Sequence, residues 1–370
     1  MEACEVLIVG GGPAGSTCAG RLGEAGLDVL LIDSCVFPRD KPCAGWITPV
    51  VLETLAIDRD DYRRGRVLQE IRGFLTGVMQ GPEVVTRYDR TVSYGIRRCE
   101  FDHFLLERCA VRQRLGEPAV TIERNGGEWL VNGRIRARLV VGAGGHFCPV
   151  ARHLGARIGA EEVIVAQSAE FAPAGDPERL GLIRDDTPEL FFSRDMKGYG
   201  WIFRKGEFLN VGFGRMDRAA FGRQMGEFRT FLERRGVAPG AGVQYRGHAY
   251  RAWQYQGERS RVGDGLMLIG DAAGLAHPHS GEGILPAVES ALLAAQTIVA
   301  AKGDYRRDKL GPYVARLRER YGRGWEFPMP SGLIGYIGAR LLANPSYVRH
   351  MVLDRWFLHA GQKVLSLAPE

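Results

Sequence analysis

The chain has 370 residues, of which 45% are hydrophobic and 25% charged, so it has an ordinary globular composition and can bury a large core. Its net charge of +6 comes from scattered basic residues without interleaved aromatic rings, and we therefore expect no nucleic-acid partner. All seven cysteines fall within residues 1–148 and include no CxxC pair, which argues against a disulfide framework or a zinc site. We expect no bound metal and a reducing compartment.

The start and the end of the chain bear on its location. A strand pattern begins almost at Met1, which leaves no room for a signal peptide. No run of about 18 apolar residues occurs, so no transmembrane helix is predicted. We expect a cytoplasmic protein. Peripheral contact with the inner face of the membrane stays open, because residues 306–370 mix apolar and basic side chains.

The first predicted elements form a βαβ unit. Val6–Val9 is typical of a buried parallel strand, Ala14–Glu24 is rich in helix-forming and small residues, and Val29–Ile32 is a second buried strand. That strand ends at Asp33, whose carboxylate can accept hydrogen bonds from a ribose diol and would repel a 2′-phosphate. The unit predicts a bound dinucleotide other than NADP, without separating NAD from FAD.

Three glycines of this unit give the pattern G-x-G-x-x-G. Gly10 allows a tight turn, Gly12 lets a pyrophosphate approach the backbone, and Gly15 lets the helix pack closely on the strand. The start of the helix, with the candidate binding residues Pro13 and Ala14, offers a positive dipole end and the free N–H groups from Ala14 onward to phosphates, since Pro13 itself has no N–H. The alternative is a glycine-rich turn without a ligand, and the flanking strand, helix and acid make it the weaker interpretation.

Beyond residue 70 the pattern changes to strands and turns. We predict a helix at Asp102–Arg114, a hairpin turning at Asn125-Gly126-Gly127, mostly strands over 161–256 with a helix near 218–235, a buried strand at Leu266–Ile269 and a long alanine-rich helix over 285–302. A dinucleotide fold that is interrupted by a β-rich insertion and then resumed is the layout of flavoprotein reductases and hydroxylases.

This order of elements predicts an α/β fold of the two-lobed α+β kind. It would combine a Rossmann-like FAD-binding domain, an inserted β-sheet substrate domain and a C-terminal helical region. The predicted boundaries are 1–70, 96–158 and 257–305 for the FAD-binding domain, 71–95 and 159–256 for the β-rich substrate domain, and 306–370 for the helical region.

Five stretches carry a resemblance to a known family. They are the βαβ unit, FPRDKPCAGWITP at 37–49, RCEFDHFLL at 98–106, GYGWIFRKG at 198–206 and LMLIGDAAGLAHPHSGEGI at 266–284. Through them, residues 1–300 resemble the geranylgeranyl reductase family of FAD-dependent oxidoreductases, part of the wider para-hydroxybenzoate hydroxylase superfamily. The resemblance implies that the cofactor is FAD.

The resemblance also implies how FAD is held. Residues 41–45 match a Lys-Pro-Cys-Gly-Gly run beside the flavin, with Ala44 in place of the first glycine. Arg98 matches an arginine that reaches the cofactor, and Asp271 an acid on the ribityl chain. The FAD-binding residues predicted in addition to those of the βαβ unit are Lys41, Cys43, Ala44, Gly45, Arg98, Asp271, Gly281, Gly283 and Ile284.

The stretch around Asp271 has a chemical interpretation of its own. A carboxylate after a strand can accept a hydrogen bond from a sugar hydroxyl. Gly281 and Gly283 would let the backbone approach a flat ring, and the start of the helix after them places positive potential nearby, which suits an anionic reduced flavin. The alternative is a plain turn before a helix.

Tyr199, Trp201 and Phe203 alternate along one predicted strand and therefore face the same side of its sheet. In the family, this pattern lines the substrate channel, although Arg204 here stands where the family has proline. The resemblance therefore predicts a substrate pocket for an apolar chain or an aromatic ring. Ordinary sheet core is the alternative.

Two residues are candidates for catalysis. Cys43 lies between Pro42 and Ala44 in a loop rigid enough to hold it beside a ring, where it would pack on the flavin, donate a proton, or simply fill space as a small apolar residue. Lys41 and Arg39 are the neighbours that could activate it. His279, near His277, is a candidate for a proton relay, with a structural role as the alternative.

The function we predict is FAD-dependent reduction of C=C double bonds in an isoprenoid, geranylgeranyl-type chain. The reductant stays open between NAD(P)H and an electron-donor protein, since Gly144 replaces an aspartate that the superfamily associates with NAD(P)H use. One alternative is a flavin-dependent monooxygenase or halogenase acting on an aromatic or apolar substrate. Others are an electron-transfer flavoprotein and a non-catalytic lipid carrier.

Overall fold

The computed structural model describes residues 1–173, 177–253, 259–322 and 333–366. The remaining parts of the predicted domains lie outside the described residues. The strands are β1 (Glu2–Val9), β2 (Val29–Asp33), β3 (Trp46–Ile47), β4 (Leu68–Ile71), β5 (Gly73–Val78), β6 (Glu83–Arg87), β7 (Ser93–Ile96), β8 (Arg112–Leu115), β9 (Ile122–Asn125), β10 (Glu128–Val131), β11 (Ile135–Gly142), β12 (Ile164–Phe171), β13 (Glu189–Phe192), β14 (Gly198–Lys205), β15 (Phe208–Arg215), β16 (Arg246–Tyr250), β17 (Val262–Gly263) and β18 (Leu266–Leu268).

The helices alternate with these strands and dominate the C-terminal part of the chain. They are α1 (Pro13–Glu24), α2 (Pro49–Thr54), α3 (Arg59–Arg63), α4 (Arg98–Glu107), α5 (Pro149–Arg152), α6 (Pro177–Gly181), α7 (Phe221–Arg234), α8 (Ile284–Ala300), α9 (Arg307–Tyr321), α10 (Leu333–Leu341) and α11 (Pro345–Tyr347). A π-helix follows at Val348–Phe357. Within the described ranges, the helices are all too short or too polar to cross a bilayer.

β1 lies inside a largely parallel sheet of order β17-β18-β11-β1-β2-β8. It pairs in parallel with β11 on one side and with β2 on the other. Val6, Leu7 and Ile8 are completely buried, because layers of structure cover both faces of the sheet. The strand order reverses at β1, which leaves a crevice outside the carboxyl ends of β1, β2 and β11.

The helix α1, which follows β1, packs against α8, a helix much later in the chain. The small residues of α8 allow the two helices to approach closely. Gly270, at the end of β18, sits between them: a Cβ there would lie 3.0 Å from that of Ala14 and 3.4 Å from that of Ala287. The distant strand β18 is therefore fixed against the N-terminal turn of α1.

A second sheet has the order β16-β12-β15-β14-β13-β5-β6. One face, with Ile202 and Val211, packs on Phe228 and other residues of α7. The opposite face carries Trp201 and packs on the segment around Phe357. Tyr199, Trp201 and Phe203 all belong to this second face, which confirms the predicted alternation. Residues 34–45, which connect β2 to β3, form the Cys43 loop. The residues that follow it belong to a small third sheet of order β3-β7-β4.

The helix predicted at Asp102–Arg114 has the wrong bounds. The helix is α4, Arg98–Glu107, and Arg112–Leu115 instead forms β8 at the edge of the first sheet, parallel to β2. The pairing satisfies backbone groups that β2 would otherwise leave open. The Gln113 side chain also donates to the carbonyls of Leu106 and Cys109, which closes the end of the helix. The hairpin predicted at Asn125-Gly126-Gly127 is confirmed between β9 and β10.

Two glycines test the packing of β14 on α7. Gly200→Ala would place a Cβ 2.2 Å from the Phe228 ring, so we expect the free energy of unfolding to fall by about 1–3 kcal/mol. Gly226→Ala is the matched control inside α7, with nothing within 4 Å of its Cβ, and should stabilise by about 0.5–1 kcal/mol. Urea unfolding measures both changes, and equal effects would contradict this packing.

Candidate active site

A cavity of about 680 Å³ opens outside the carboxyl ends of β1, β2 and β11 and continues to the Cys43 loop and the second sheet. A volume of this size is usual for a cofactor or ligand pocket. The predicted FAD-binding residues that line it are Gly10, Gly12, Pro13, Ala14, Asp33, Lys41, Cys43, Ala44, Arg98, Asp271, Gly281, Gly283 and Ile284. Gly15 and Gly45 do not line it.

The glycine turn before α1 can admit a diphosphate. Gly10 has φ +115°, and a Cβ there would lie 2.6 Å from the Ala143 carbonyl carbon. A Cβ at Gly15 would lie 1.8 Å from the Gly10 oxygen, so Gly15 serves the close packing of helix on strand. Gly12 is the N-cap of α1, no side chain caps the helix, and no acid lies in its first turn. The first amide N–H groups are therefore available to an anion.

Asp33 lies at the opposite side of the same turn. Its Oδ2 accepts from the Gly11 amide at 2.6 Å and its Oδ1 from the Cys35 amide at 2.8 Å. The carboxylate therefore fixes the glycine turn as well as facing the cavity, where its remaining lone pairs can accept hydroxyl groups of a ribose. The uncapped helix and this acid together fit the adenosine diphosphate part of a dinucleotide.

We call the glycine turn, the start of α1 and Asp33 the dinucleotide cradle. The Cys43 loop forms the cavity wall beyond this cradle. The Cys43 carbonyl accepts from Asn210 Nδ2 at 3.0 Å, and the Cys43 Sγ accepts from the Gly45 amide at 3.3 Å. Gly45 has φ +64°, and a Cβ there would lie 2.2 Å from the Ile96 oxygen. Glycine is thus required at position 45 by the approach of the loop to Ile96. Gly45 does not line the cavity, and its contact with the flavin stays a prediction from the sequence.

Asn210 joins this loop to the second sheet. Its Oδ1 accepts from Trp201 Nε1 at 2.8 Å, and its Nδ2 also donates to Glu170 at 3.1 Å. Lys205 donates to the same carboxylate at 2.8 Å. Burial works to raise the pKa of Glu170, but the charge and hydrogen bond of Lys205 outweigh it and leave the pKa lowered. The loop therefore rests on a satisfied, buried polar network.

The basic residues predicted to activate Cys43 have other partners. Arg39 pairs with the completely buried Asp102 at 3.2 Å, and Lys41 contacts His248. Arg98 lies near the Cys43 thiol, as Lys41 also does, and makes a bidentate pair with Asp102, both bonds at 2.7 Å. Asp102 thus fixes the guanidinium that faces the cavity.

Lys41, His248 and Asp271 form a chain across the cavity. Lys41 Nζ lies 3.1 Å from His248 Nδ1, and His248 Nε2 lies 3.4 Å from Asp271 Oδ2. Burial lowers the pKa of Lys41 and of His248. Burial works to raise the pKa of Asp271, but His248, Lys41 and Arg98 outweigh it and leave that pKa lowered. These distances fit a His248 ring whose Nδ1 accepts from Lys41 and whose Nε2 donates to the Asp271 carboxylate.

The other end of the cavity has an aromatic wall. Tyr199, Trp201, Trp46 and Phe357 all line it. Phe357 stacks on Trp46 with ring centroids 5.3 Å apart and meets Tyr199 edge-on at 5.2 Å. The Tyr199 hydroxyl donates to the Ser280 carbonyl, which ties this wall to the loop before α8. The wall is apolar and lies next to Cys43 and Ala44 in one continuous space.

Phe203 and His279 lie elsewhere than expected. Phe203 is buried behind the wall, where its ring meets that of Trp46 edge-on at 5.7 Å, so it supports the pocket without lining it. His279 does not line the main cavity. It faces a second cavity, stacked on Trp356 at 4.7 Å. A proton relay through His279 therefore stays a prediction from the sequence, with no contact to the main cavity to support it.

Several residues of the site escaped the sequence analysis. His248 and Tyr250 line the cavity from β16, and their alternation in the stretch RGHAY was a usable signal. Asn210 and Phe357 gave none, because their contacts join distant parts of the chain.

The fold and the cavity together define a flavoprotein oxidoreductase, with a dinucleotide cradle that opens into an aromatic pocket. An FAD binding domain family matches residues 3–68. The chain is 31% identical over 350 residues to the menaquinone reductase of Mycobacterium tuberculosis, covering 88% of this chain and 82% of that protein. It is 28% identical to digeranylgeranylglycerophospholipid reductase 1 of Methanothermobacter thermautotrophicus, covering 86% and 83%.

The chain belongs to the geranylgeranyl reductase family of FAD-dependent oxidoreductases, within the para-hydroxybenzoate hydroxylase superfamily. A geranylgeranyl bacteriochlorophyll reductase-like protein from Thermoplasma acidophilum shares the fold, with a TM-score of 0.72 at 23% identity, covering 93% of this chain and 88% of that one. The cofactor is FAD and the chain is an enzyme, which removes the non-catalytic lipid carrier from the alternatives.

Substitution of Asp33 tests its predicted role in FAD binding. Asp33→Asn replaces a charged acceptor by a neutral one, and the loss of a charge-assisted hydrogen bond, about 1.5–3 kcal/mol, should weaken FAD binding roughly 10-fold or more. Asp28→Asn, at an exposed pair with Arg112, is the matched control and should leave the affinity unchanged. Titration of the apoprotein with FAD, followed by flavin fluorescence, measures both. Equal affinities for the wild type and Asp33→Asn would contradict the role of Asp33.

Proposed function

We propose that this enzyme reduces carbon–carbon double bonds of an isoprenoid chain carried by a lipid or a quinone. The observation that carries the proposal is the continuity of one cavity, from the α1 cradle past Cys43 to the wall of Trp46, Tyr199, Trp201 and Phe357. An apolar, aromatic wall suits a long unsaturated hydrocarbon, which has no polar groups to pair. Relatives that act on a digeranylgeranyl lipid and on menaquinone support the same class of substrate.

The proposal assigns separate roles to the cofactor and to the residues around it. FAD, when bound and reduced, supplies the hydride for one carbon of the double bond. The uncapped start of α1 and Asp33 would hold the cofactor's adenosine diphosphate, and Asp271 would accept a sugar hydroxyl. The aromatic wall would orient the chain and exclude water from the reacting carbons. Contact with the membrane and with an electron-donor protein stay predictions from the sequence.

Cys43 would lie where the cofactor and the substrate meet. Its carbonyl is fixed by Asn210 and its sulfur by the Gly45 amide, so its position is well determined. We propose that the small side chain at this point controls how closely the double bond approaches. Donation of the proton that completes the addition is the second role we consider for the thiol, which lies near Arg98.

The function is tested by anaerobic turnover. We would reduce the FAD-loaded protein with dithionite, so that the result does not depend on the physiological reductant, and add a digeranylgeranyl lipid or geranylgeranyl diphosphate. We expect the flavin to be reoxidised and the product mass to rise by two hydrogens per double bond.

The matched control is the fully saturated form of the same lipid, which should leave the flavin reduced. A flavin that stays reduced with the unsaturated lipid, until oxygen is admitted, would contradict the proposal and favour oxygen chemistry on this fold.

Cys43→Ala separates the two roles of the cysteine. We expect unchanged flavin content, a fall in kcat of less than about tenfold and a changed pattern of partly reduced products, because only packing is altered. A fall of about 100-fold or more at unchanged KM would identify Cys43 as the proton donor. Cys99→Ala, at a half-buried cysteine that does not line the cavity, is the control. Unchanged turnover and product pattern in Cys43→Ala would contradict both roles.

A further inference from the structure

Three side chains able to bind a metal converge beside the loop that lines the flavin cavity. His277 and Glu282 belong to one tight turn, closed by the His277 amide donating to the Glu282 carbonyl at 2.8 Å and the Gly281 amide donating to the His277 carbonyl at 2.9 Å. His359 reaches them from the segment after the π-helix, and its ring stacks on that of His277 at 3.9 Å. One ligand atom of each residue lies within 4.8 Å of the other two.

The polar atoms of these residues are buried but poorly satisfied. Within the described residues, His277 Nε2, His359 Nε2 and both carboxylate oxygens of Glu282 lack a hydrogen-bond partner. His359 Nε2 does lie 3.0 Å from Glu282 Oε2, close enough for an ion pair, but its direction does not make a hydrogen bond. Buried acceptors of this kind are normally paired, so the set suggests an absent partner that all three share.

The end of the π-helix positions the third side chain. His359 directly follows the C-cap Leu358 and has φ +49°, the left-handed conformation that commonly ends a helix. The side chains of Glu282 and His359 are only 10% and 13% exposed.

We propose that His277, Glu282 and His359 bind one divalent transition-metal ion, most simply zinc. Two imidazoles and one carboxylate are an established type of zinc ligand set, with a fourth position left for water or a ligand. Bonds of about 2.1 Å in a tetrahedron hold the donor atoms about 3.4 Å apart. The donor atoms now lie within 4.8 Å of one another, and the stacked rings of His277 and His359 would have to turn to direct their nitrogens at one ion. A second cavity, lined by His277 and His359, provides the entry path and the fourth position.

The absence of cysteine ligands explains why the sequence predicted no metal. The cysteine pattern excluded only the zinc sites built on thiolates, and the third ligand lies far along the chain from the other two.

The metal would join two parts of the active-site wall. Glu282 also lines the main cavity, on the turn that contains Gly281. Phe357, two residues before His359, forms part of the aromatic wall. An ion between them would therefore fix the C-terminal segment to the turn beside the flavin. Arg320, which also faces the second cavity, is already paired with Glu289 at 3.0 Å.

The test measures metal binding by the FAD-loaded protein. Bound metal is first stripped with a chelator, and the chelator is then removed. We would titrate with Zn²⁺ and with Co²⁺, whose visible absorption reports tetrahedral coordination, and measure metal content per chain. We expect one ion per chain and strong Co²⁺ absorption in the visible range. His359→Ala should lower the metal affinity at least about 100-fold. Mutation of a residue that only hydrogen-bonds to a metal ligand already lowers metal affinity about 10- to 100-fold.

The control is His350→Ala, at an exposed histidine of the same segment that pairs with Asp354. It should leave metal binding unchanged. Glu282→Gln is a near-isosteric second variant in case loss of the His359 ring disturbs the segment, and flavin content and circular dichroism confirm folding. Wild-type protein that binds no more Zn²⁺ or Co²⁺ than His359→Ala and Glu282→Gln would overturn the proposal.

Discussion

The buried side-chain amide of Asn210 is the interaction on which the active site most depends. It accepts from Trp201, donates to Glu170 and donates to the Cys43 carbonyl, and Asn210 is only 2% exposed. Loss of one such partner would leave buried polar groups unpaired, at about 1–3 kcal/mol each. Through this amide, the strand that carries the aromatic wall and the loop that carries Cys43 keep one fixed separation.

The remaining architecture brings a phosphate cradle and an apolar pocket into one space. The parallel sheet places the glycine turn and Asp33 at the carboxyl ends of its strands, where backbone N–H groups face a ligand. The second, mixed sheet turns one face towards α7 and the other towards the cavity wall. The proposed cofactor site is polar while the proposed substrate pocket is aromatic, a division that suits hydride transfer to a hydrocarbon.

The sequence was most informative where structure is local. The βαβ unit, the hairpin and the alternation of Tyr199 and Trp201 follow from spacing alone, since each depends on neighbours in the chain. The pairing of Asn210 with Cys43 and of Lys41 with His248 joins positions 167 and 207 residues apart, which no periodicity reveals. The sequence predicted the correct sheet face for Phe203, but the ring lies behind Trp46 and does not line the cavity. Whether a side chain on that face reaches the cavity depends on what packs against the sheet, which the alternation does not reveal.

The central claim is that a flavin and an isoprenoid chain meet at Cys43 within one cavity. A crystal structure of the FAD-loaded protein with a geranylgeranyl lipid tests it most directly. We expect the flavin ring between the Cys43 loop and the turn that contains Gly281, with a double bond facing the ring and the chain along Tyr199, Trp201 and Phe357. A lipid chain bound outside this wall, or a flavin ring that does not reach Cys43, would contradict the account.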